Sequence, residues 1–235
     1  MKLRQYFAGV LLFVGTALMA NDYTIDGQFV TIPVKQVKAD GAQVVRLQVV
    51  NDNIIRVQAT SKGQLPEKQS LMIVPQMQKP KFNVYSLDGT GEVWVKAAKV
   101  MAKVNVNTGQ LTFYDKEEKE LLKEAEDGKR FWDFTVPERE LGMKTGYTVP
   151  EEQKHGLSWQ MKFDSPDDEA FYGLGQHQSE EFNMKGKNED LFQYNTKGTD
   201  ELSVGGAILS NGYGGMSGLF LEGEYVTQCI VGVEV

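Results

Sequence analysis

The chain has 235 residues, a formal net charge of −7 and a pI near 5.0. That acidic balance excludes nucleic acid as a partner, because phosphate binding needs a basic face. With 41% hydrophobic and 10% aromatic residues it is rich enough to pack a core, which excludes global disorder, and its length suits one large β domain or two small ones.

Residues 1–20 read as an export signal. Lys2 and Arg4 supply a positive start, an apolar run broken by small residues follows, and Ala17-Leu18-Met19-Ala20 ends it, suiting a signal-peptidase cut after Ala20. The run is short for a membrane span, and a retained anchor helix is the alternative. The mature chain is therefore expected outside the cytoplasm, periplasmic or extracellular, with no membrane span after signal removal. Cys229 is the only cysteine, so no intramolecular disulfide can form and stability must come from the core.

Extended patterns dominate from there. Residues 28–37 give a short strand that Pro33 confines to an edge position. VVRLQVV, Asn51-Asp52-Asn53 and IIRVQA form the clearest hairpin. Val45, Leu47 and Val49 alternate with Arg46 and Gln48, and Ile55, Val57 and Ala59 alternate with Arg56 and Gln58. Its turn uses residues that tolerate left-handed backbone angles. Pro66, Pro75 and Pro80 punctuate the next stretch. Residues 84–87 and 92–96 are short strands. Residues 99–106 alternate strictly, Thr108-Gly109 turns the chain, and residues 111–114 return.

Residues 116–130, KEEKELLKEAEDGKR, are rich in helix formers, but Leu121 and Leu122 are their only large apolar pair. A weak helix, or a polar turn into a short strand at Leu121-Leu122, both fit. Residues 157–163 alternate as a further strand, and residues 171–172, 191–194 and 207–209 are the last candidates. No βαβ rhythm, repeat or low-complexity linker is present. Short strands with turn signals every ten or so residues predict an all-β fold, an antiparallel β-sandwich or barrel.

The stretch EAFYGLGQHQ is a strand that breaks into a glycine turn, Gly173 and Gly175, and then delivers Gln176, His177 and Gln178. It is either a functional loop or a tight bend with a solvated histidine. It is not a phosphate loop, since neither GxGxxG nor GK[ST] is present. His155 and His177 are the only histidines and nothing pairs them, so no metal site is expected and no cofactor is implied. GxSxG is absent, which removes the usual serine-hydrolase signature. Asp164, Asp167, Asp168, Glu169, Glu180 and Glu181 read as solvated charge rather than as a general-acid and nucleophile pair. Trp132-Asp133 combines an aromatic ring with an acid, although a tryptophan in such a strand is more often core.

The hairpin VVRLQVVNDNIIRVQA, the segment VNTGQLTFYDKEEKELLKE, and SPDDEAFYGLGQHQ through KNEDLFQYNTK occur in the order found in glycoside hydrolase family 31. The chain resembles, from about residue 24 to about residue 200, the N-terminal β-sandwich of the α-glucosidase and α-xylosidase members. The resemblance implies a galactose-mutarotase-like (supersandwich) fold that normally precedes a β/α barrel. It implies a retaining α-glycosidase whose two catalytic aspartates lie on that barrel. It also implies an α-linked oligosaccharide or polysaccharide as partner of the whole enzyme. In the family, the loop after the YGLG strand carries an Asn-x-Asp pattern toward the sugar pocket. Asn195 matches the Asn and Lys197 stands in place of the Asp, so a substrate-rim role carries over to Asn195 and Thr196 only.

The sequence departs from the family in two respects. The barrel and its nucleophile segment are missing, so no catalytic residue is expected within this chain. Asn211-Gly212-Tyr213-Gly214 is kept, but SVGGAIL precedes it and GMSGLFLEGEYVTQCIVGVEV follows it. The expected organisation is a signal at 1–20, a sandwich domain at 21–210 and a divergent tail at 211–235. A truncated or frame-shifted product without its own hydrolase activity accounts for this. The alternative is a free-standing carbohydrate-binding sandwich, with Trp94, Trp132 and Trp159 stacking on sugar rings.

Overall fold

The computed structural model describes residues 22–65, 73–74, 79–87, 89–135, 155–173, 182–186, 204–210, 216–224 and 226–234. The signal segment, the stretch around Pro66 and Pro75, the expected strand at 191–194, and the glycine turn with Gln176, His177 and Gln178 lie outside the described residues.

Among the described residues the fold is all-β. It is built from β1 (Thr24–Asp26), β2 (Phe29–Pro33), β3 (Val44–Asn51), β4 (Ile54–Thr60), β5 (Asn83–Leu87), β6 (Glu92–Lys96), β7 (Val100–Asn105), β8 (Leu111–Asp115), β9 (Glu120–Lys123), β10 (Arg130–Thr135), β11 (His155–Gln160), β12 (Phe171–Gly173), β13 (Val204–Ser210), β14 (Met216–Glu224) and β15 (Val226–Glu234). One sheet has eight strands in the order β1-β2-β3-β4-β15-β14-β13-β12. A second is the five-stranded meander β5-β6-β7-β8-β9, and β10 and β11 form a separate two-stranded ribbon. All the pairings are antiparallel.

The period-two pattern of the first hairpin decides the core. Val45, Leu47, Val49, Ile55, Val57 and Ala59 are buried in one hydrophobic cluster. They meet Val93, Val95, Val100, Ala102, Val104, Leu111 and Phe113 of the five-stranded sheet in the same cluster. Two sheets therefore face each other across one apolar layer, which is a β-sandwich. The opposite face of β3 and β4 is polar yet equally dry: Gln48 is 5%, Arg56 4% and Gln58 1% exposed. Arg56 Nη1 donates to Gln48 Oε1 at 3.0 Å, and Arg46 Nε donates to Gln58 Oε1 at 3.0 Å, each across the strand pair. A buried polar group costs free energy unless it is bonded, and these cross-strand bonds meet part of that demand, although Arg56 Nε makes no hydrogen bond.

Turns follow side-chain chemistry. Asn51 Oδ1 accepts from the Asn53 N–H at 2.9 Å, and a register shift between Val49 and Asn51 lets the hairpin close. The tip is tied to the other sheet, where the Lys99 N–H donates to the Asp52 carbonyl at 2.9 Å. Gly109 takes a φ of +74°, and a Cβ there would come within 3.0 Å of a Val34 methyl, so both backbone angle and space call for glycine. Pro33 lies beyond the part of β2 that β1 covers, so its missing N–H leaves no gap in the ladder.

Residues 116–130 resolve toward the strand alternative. Asp115 Oδ1 accepts from the N–H groups of Glu117 and Lys119 at 2.9 and 2.8 Å, and Glu118 adopts a φ of 66°. That reversal sends β9 back along β8, and Leu121 enters the core. Residues 216–224 and 226–234, to which the sequence pattern assigns no element, form β14 and β15. β15 pairs with β4 from Thr227↔Ala59 to Gly232↔Ile54, and Cys229 stands opposite Val57.

Phe113 is the largest fully buried side chain of the described core. Phe113→Ala is expected to lower unfolding stability by about 3–5 kcal/mol in urea titration, since it removes a ring and leaves a cavity between the sheets.

Candidate functional site

The three tryptophans are not brought together. Trp94 lies on β6 of the five-stranded sheet and is half-buried. Trp159 stands opposite Phe131 in the ribbon and is partly buried, packed against the core. Trp132, opposite Ser158, is 45% exposed. Asn195 and Thr196 lie outside the described residues. Asp164, Asp167 and Asp168 are exposed, as solvated charge should be, whereas Glu169 is buried. Glu180 and Glu181 lie outside the described residues.

Trp94 is the centre of an aromatic row that sequence spacing alone does not reveal. The register pairs Tyr85 with Trp94, and Trp94 with Lys103, on the face of the meander turned away from the core. The Tyr85 and Trp94 rings lie 6.2 Å apart with planes 3° from parallel, and Trp94 and Tyr114 lie 5.1 Å apart at 28°. Lys103 Nζ sits over both the Trp94 and Tyr114 rings, at 5.4 and 5.6 Å from their centroids. Glu92 completes the group: it accepts from Trp94 Nε1 at 3.3 Å and pairs with Lys103 at 3.3 Å. Burial pushes the Lys103 ammonium down, but the Tyr114 hydroxyl and Glu92 carboxylate bonded to it prevail and hold it above its ordinary value. Lys103 therefore stays charged at neutral pH. The row exposes Tyr85 at the sheet edge and offers rings, one ammonium and one carboxylate side by side. The rings stack on one another and Lys103 covers two of them, so the row is packed within itself.

A second feature is a polar cleft of about 580 Å³. It lies between the loop bearing Lys38, the β7–β8 turn with Asn105 and Thr108, and the turn from Glu124 to Lys129. Its three lysines are each paired with a carboxylate of the protein. Lys38 pairs with Asp127, Lys123 with Asp164 at 3.6 Å, and Lys129 with Glu124. The last pair is buried, with side chains 4% and 1% exposed. Glu124 Oε2 also accepts from the Leu111 N–H at 3.0 Å, and its main-chain carbonyl accepts from Gln110 Nε2 at 2.6 Å. Burial pushes the Glu124 carboxyl up against the downward pull of Lys129 and of the Leu111 amide. Gly128 is wedged here, because a Cβ would meet Glu124 Cγ at 2.5 Å. The cleft is thus a brace joining β8, β9 and the approach to β10. Among the described residues no group of three His, Cys, Asp or Glu side chains is placed to hold a metal ion.

Comparison with known proteins gives a consistent answer. A family model described as the glycosyl hydrolase 31 N-terminal galactose mutarotase-like domain matches residues 44–208. A solved α-xylosidase of glycoside hydrolase family 31 from Xanthomonas citri is 31% identical, with a TM-score of 0.63 over 87% of this chain and 19% of that one. A family 31 α-xylosidase from a soil metagenome, solved with xylose, is 19% identical, with a TM-score of 0.57 over 90% of this chain and 32% of that one. A Flavobacterium johnsoniae family 31 dextranase, solved with glucose, is 16% identical, with a TM-score of 0.50 over 90% and 26%. The chain spans less than a third of the length of each of these structures.

The buried pair makes two expectations. Glu124→Gln strands the Lys129 charge and should cost about 3–5 kcal/mol in urea unfolding, while the double change Glu124→Leu with Lys129→Met should cost clearly less than the two single changes added. On the surface, the Arg130 guanidinium bonded to Asp40 at 2.6 Å holds that carboxyl below its ordinary value. A depressed carboxylate contributes stability above its unfolded pKa and loses it as pH falls through the lowered folded pKa. In Arg130→Ala, NMR titration should therefore find the Asp40 carboxyl moved back up.

Proposed function

We propose a function on one premise: the chain belongs to the glycosyl hydrolase 31 N-terminal galactose mutarotase-like domain family. It is the non-catalytic sandwich of an exported, retaining α-glycoside hydrolase. It gives the catalytic part of such an enzyme a rigid support and contributes no cleaving carboxylate of its own. The favoured substrate class is an α-linked xylosyl residue, with α-glucosyl the alternative.

The observation that carries this reading is the 31% identity, sustained over 87% of the chain, to an enzyme named as an α-xylosidase. The geometry supports a supporting role. The described carboxylate with the deepest burial, Glu124, is committed to Lys129 and to the Leu111 amide rather than presented to a ligand. In retaining hydrolysis one carboxylate attacks the anomeric carbon, and the other protonates the leaving oxygen and then activates water. Both must be free to face the sugar. Export rests on Lys2, Arg4, the apolar run and the small residue Ala20 at its end.

The purified chain should show no turnover of aryl α-xylosides or α-glucosides at any pH where it remains folded. Turnover that a single substitution within the chain abolishes would overturn the proposal. N-terminal sequencing of the protein recovered from a secreting host should begin at Asn21; recovery of the intact Met1 end would remove the export step alone.

A further inference from the structure

We propose that residues 182–186 are an edge guard: a strap seated on the outer edge of β12 that shuts the eight-stranded sheet against strand addition by a second copy of this chain. The proposal draws nothing from the family reading.

β12 is the last strand of that sheet, and among the described residues no strand lies beyond it. In an antiparallel ladder a residue directs its N–H and its C=O to the same side. Both groups of Phe171 are taken up by the strap. Its N–H donates to Asn183 Oδ1 at 3.1 Å, and its carbonyl accepts from the Met184 N–H at 2.8 Å. Asn183 thus supplies through its side chain the acceptor that a partner strand would supply through its backbone. The same Oδ1 accepts from the Lys185 N–H at 3.0 Å, so the strap folds its next donor inward and offers no fresh ladder. Gly186 takes a φ of +75°, which ends extended pairing there.

Two anchors hold the strap. Met184 is buried, whereas Phe182 and Asn183 beside it are exposed. The Lys185 ammonium donates to the Pro166 carbonyl, which also accepts from the Glu169 N–H at 3.1 Å, so the strap is fastened to the segment that leads into β12. These ties are few, which makes the strap a detachable cover rather than a strand of the sheet. With the strap lifted, Phe171 would present a donor and an acceptor side by side, the pattern that another extended chain completes. The same edge of a second copy, run antiparallel about a two-fold axis, sets donor against acceptor in both directions and needs no further complementarity.

The test has two readouts on the full chain. Amide exchange followed by NMR reads the Phe171 N–H, and sedimentation velocity over a concentration series reads self-association. Relative to the unaltered chain, Asn183→Ala should speed exchange of the Phe171 amide about tenfold or more and raise the share of dimer. Asn183→Asp, which keeps an acceptor, should leave that exchange slow. Met184→Pro removes the strap's donor and serves as a second variant, and circular dichroism shows that each variant is folded. Adding Phe182→Ser to Asn183→Ala separates edge pairing from adhesion through the exposed Phe182 ring, and the dimer should persist. Unchanged Phe171 exchange in Asn183→Ala would overturn the guard, as would fast exchange in Asn183→Asp. So would no gain in dimer in either Asn183→Ala or Met184→Pro, or a dimer that vanishes with the Phe182 ring. None of these results touches the family reading, which is judged by hydrolysis.

Discussion

Two-sided burial of the β3–β4 hairpin is the constraint on which the rest depends. One face is wholly apolar and meets the five-stranded sheet. The other carries Arg46, Gln48, Arg56 and Gln58, with the last three almost fully buried. A slip of one residue would put arginine into the hydrocarbon layer, so register is strongly specified. The reciprocal arginine–glutamine bonds hold only in that register. The Lys99–Asp52 bond then fastens the hairpin tip to the meander, and a second tie runs from the Lys35 and Gln36 N–H groups to the Val106 and Asn107 carbonyls.

Much of this was legible in the amino-acid order, for a local reason. Alternation at residues 44–59 and 99–106 reports the pleat directly, and both hairpins stand where it places them. The burial of the polar face was not legible, because Arg and Gln carry the same letters whether wet or dry. Residues 116–130 stayed open between helix and strand since helix propensity and an aspartate-led turn compete over the same residues. The Asp115 side chain and the left-handed Glu118 decide it. The last strands were illegible for a different reason. β15 is defined by pairing with β4, and nothing near residues 226–234 encodes that distant partner.

The site divides in the same way. Sequence composition supplies Trp94 but not its companions, because Tyr85, Lys103 and Tyr114 become neighbours only through cross-strand register. Trp132 and Trp159 are equivalent as letters, yet the pleat of the ribbon sends one to the core and leaves the other exposed. The Glu124–Lys129 brace was hidden within a charge-rich run whose default reading is solvated surface. Its burial depends on Gly128, which lets the backbone fold tightly over the Glu124 stem.

The position of β15 has a consequence for assembly. It occupies an interior seam, between β4 and β14, and so joins the first four strands to β12, β13 and β14. A polypeptide emerging amino end first can build the meander early, from neighbours in sequence. The broad sheet must wait, with the flank of β4 uncapped, until this late segment arrives to zip it. Such long-range closure is slow, and an uncapped flank invites the wrong chain. Handling during maturation, more than the finished architecture, is therefore where this fold is most vulnerable.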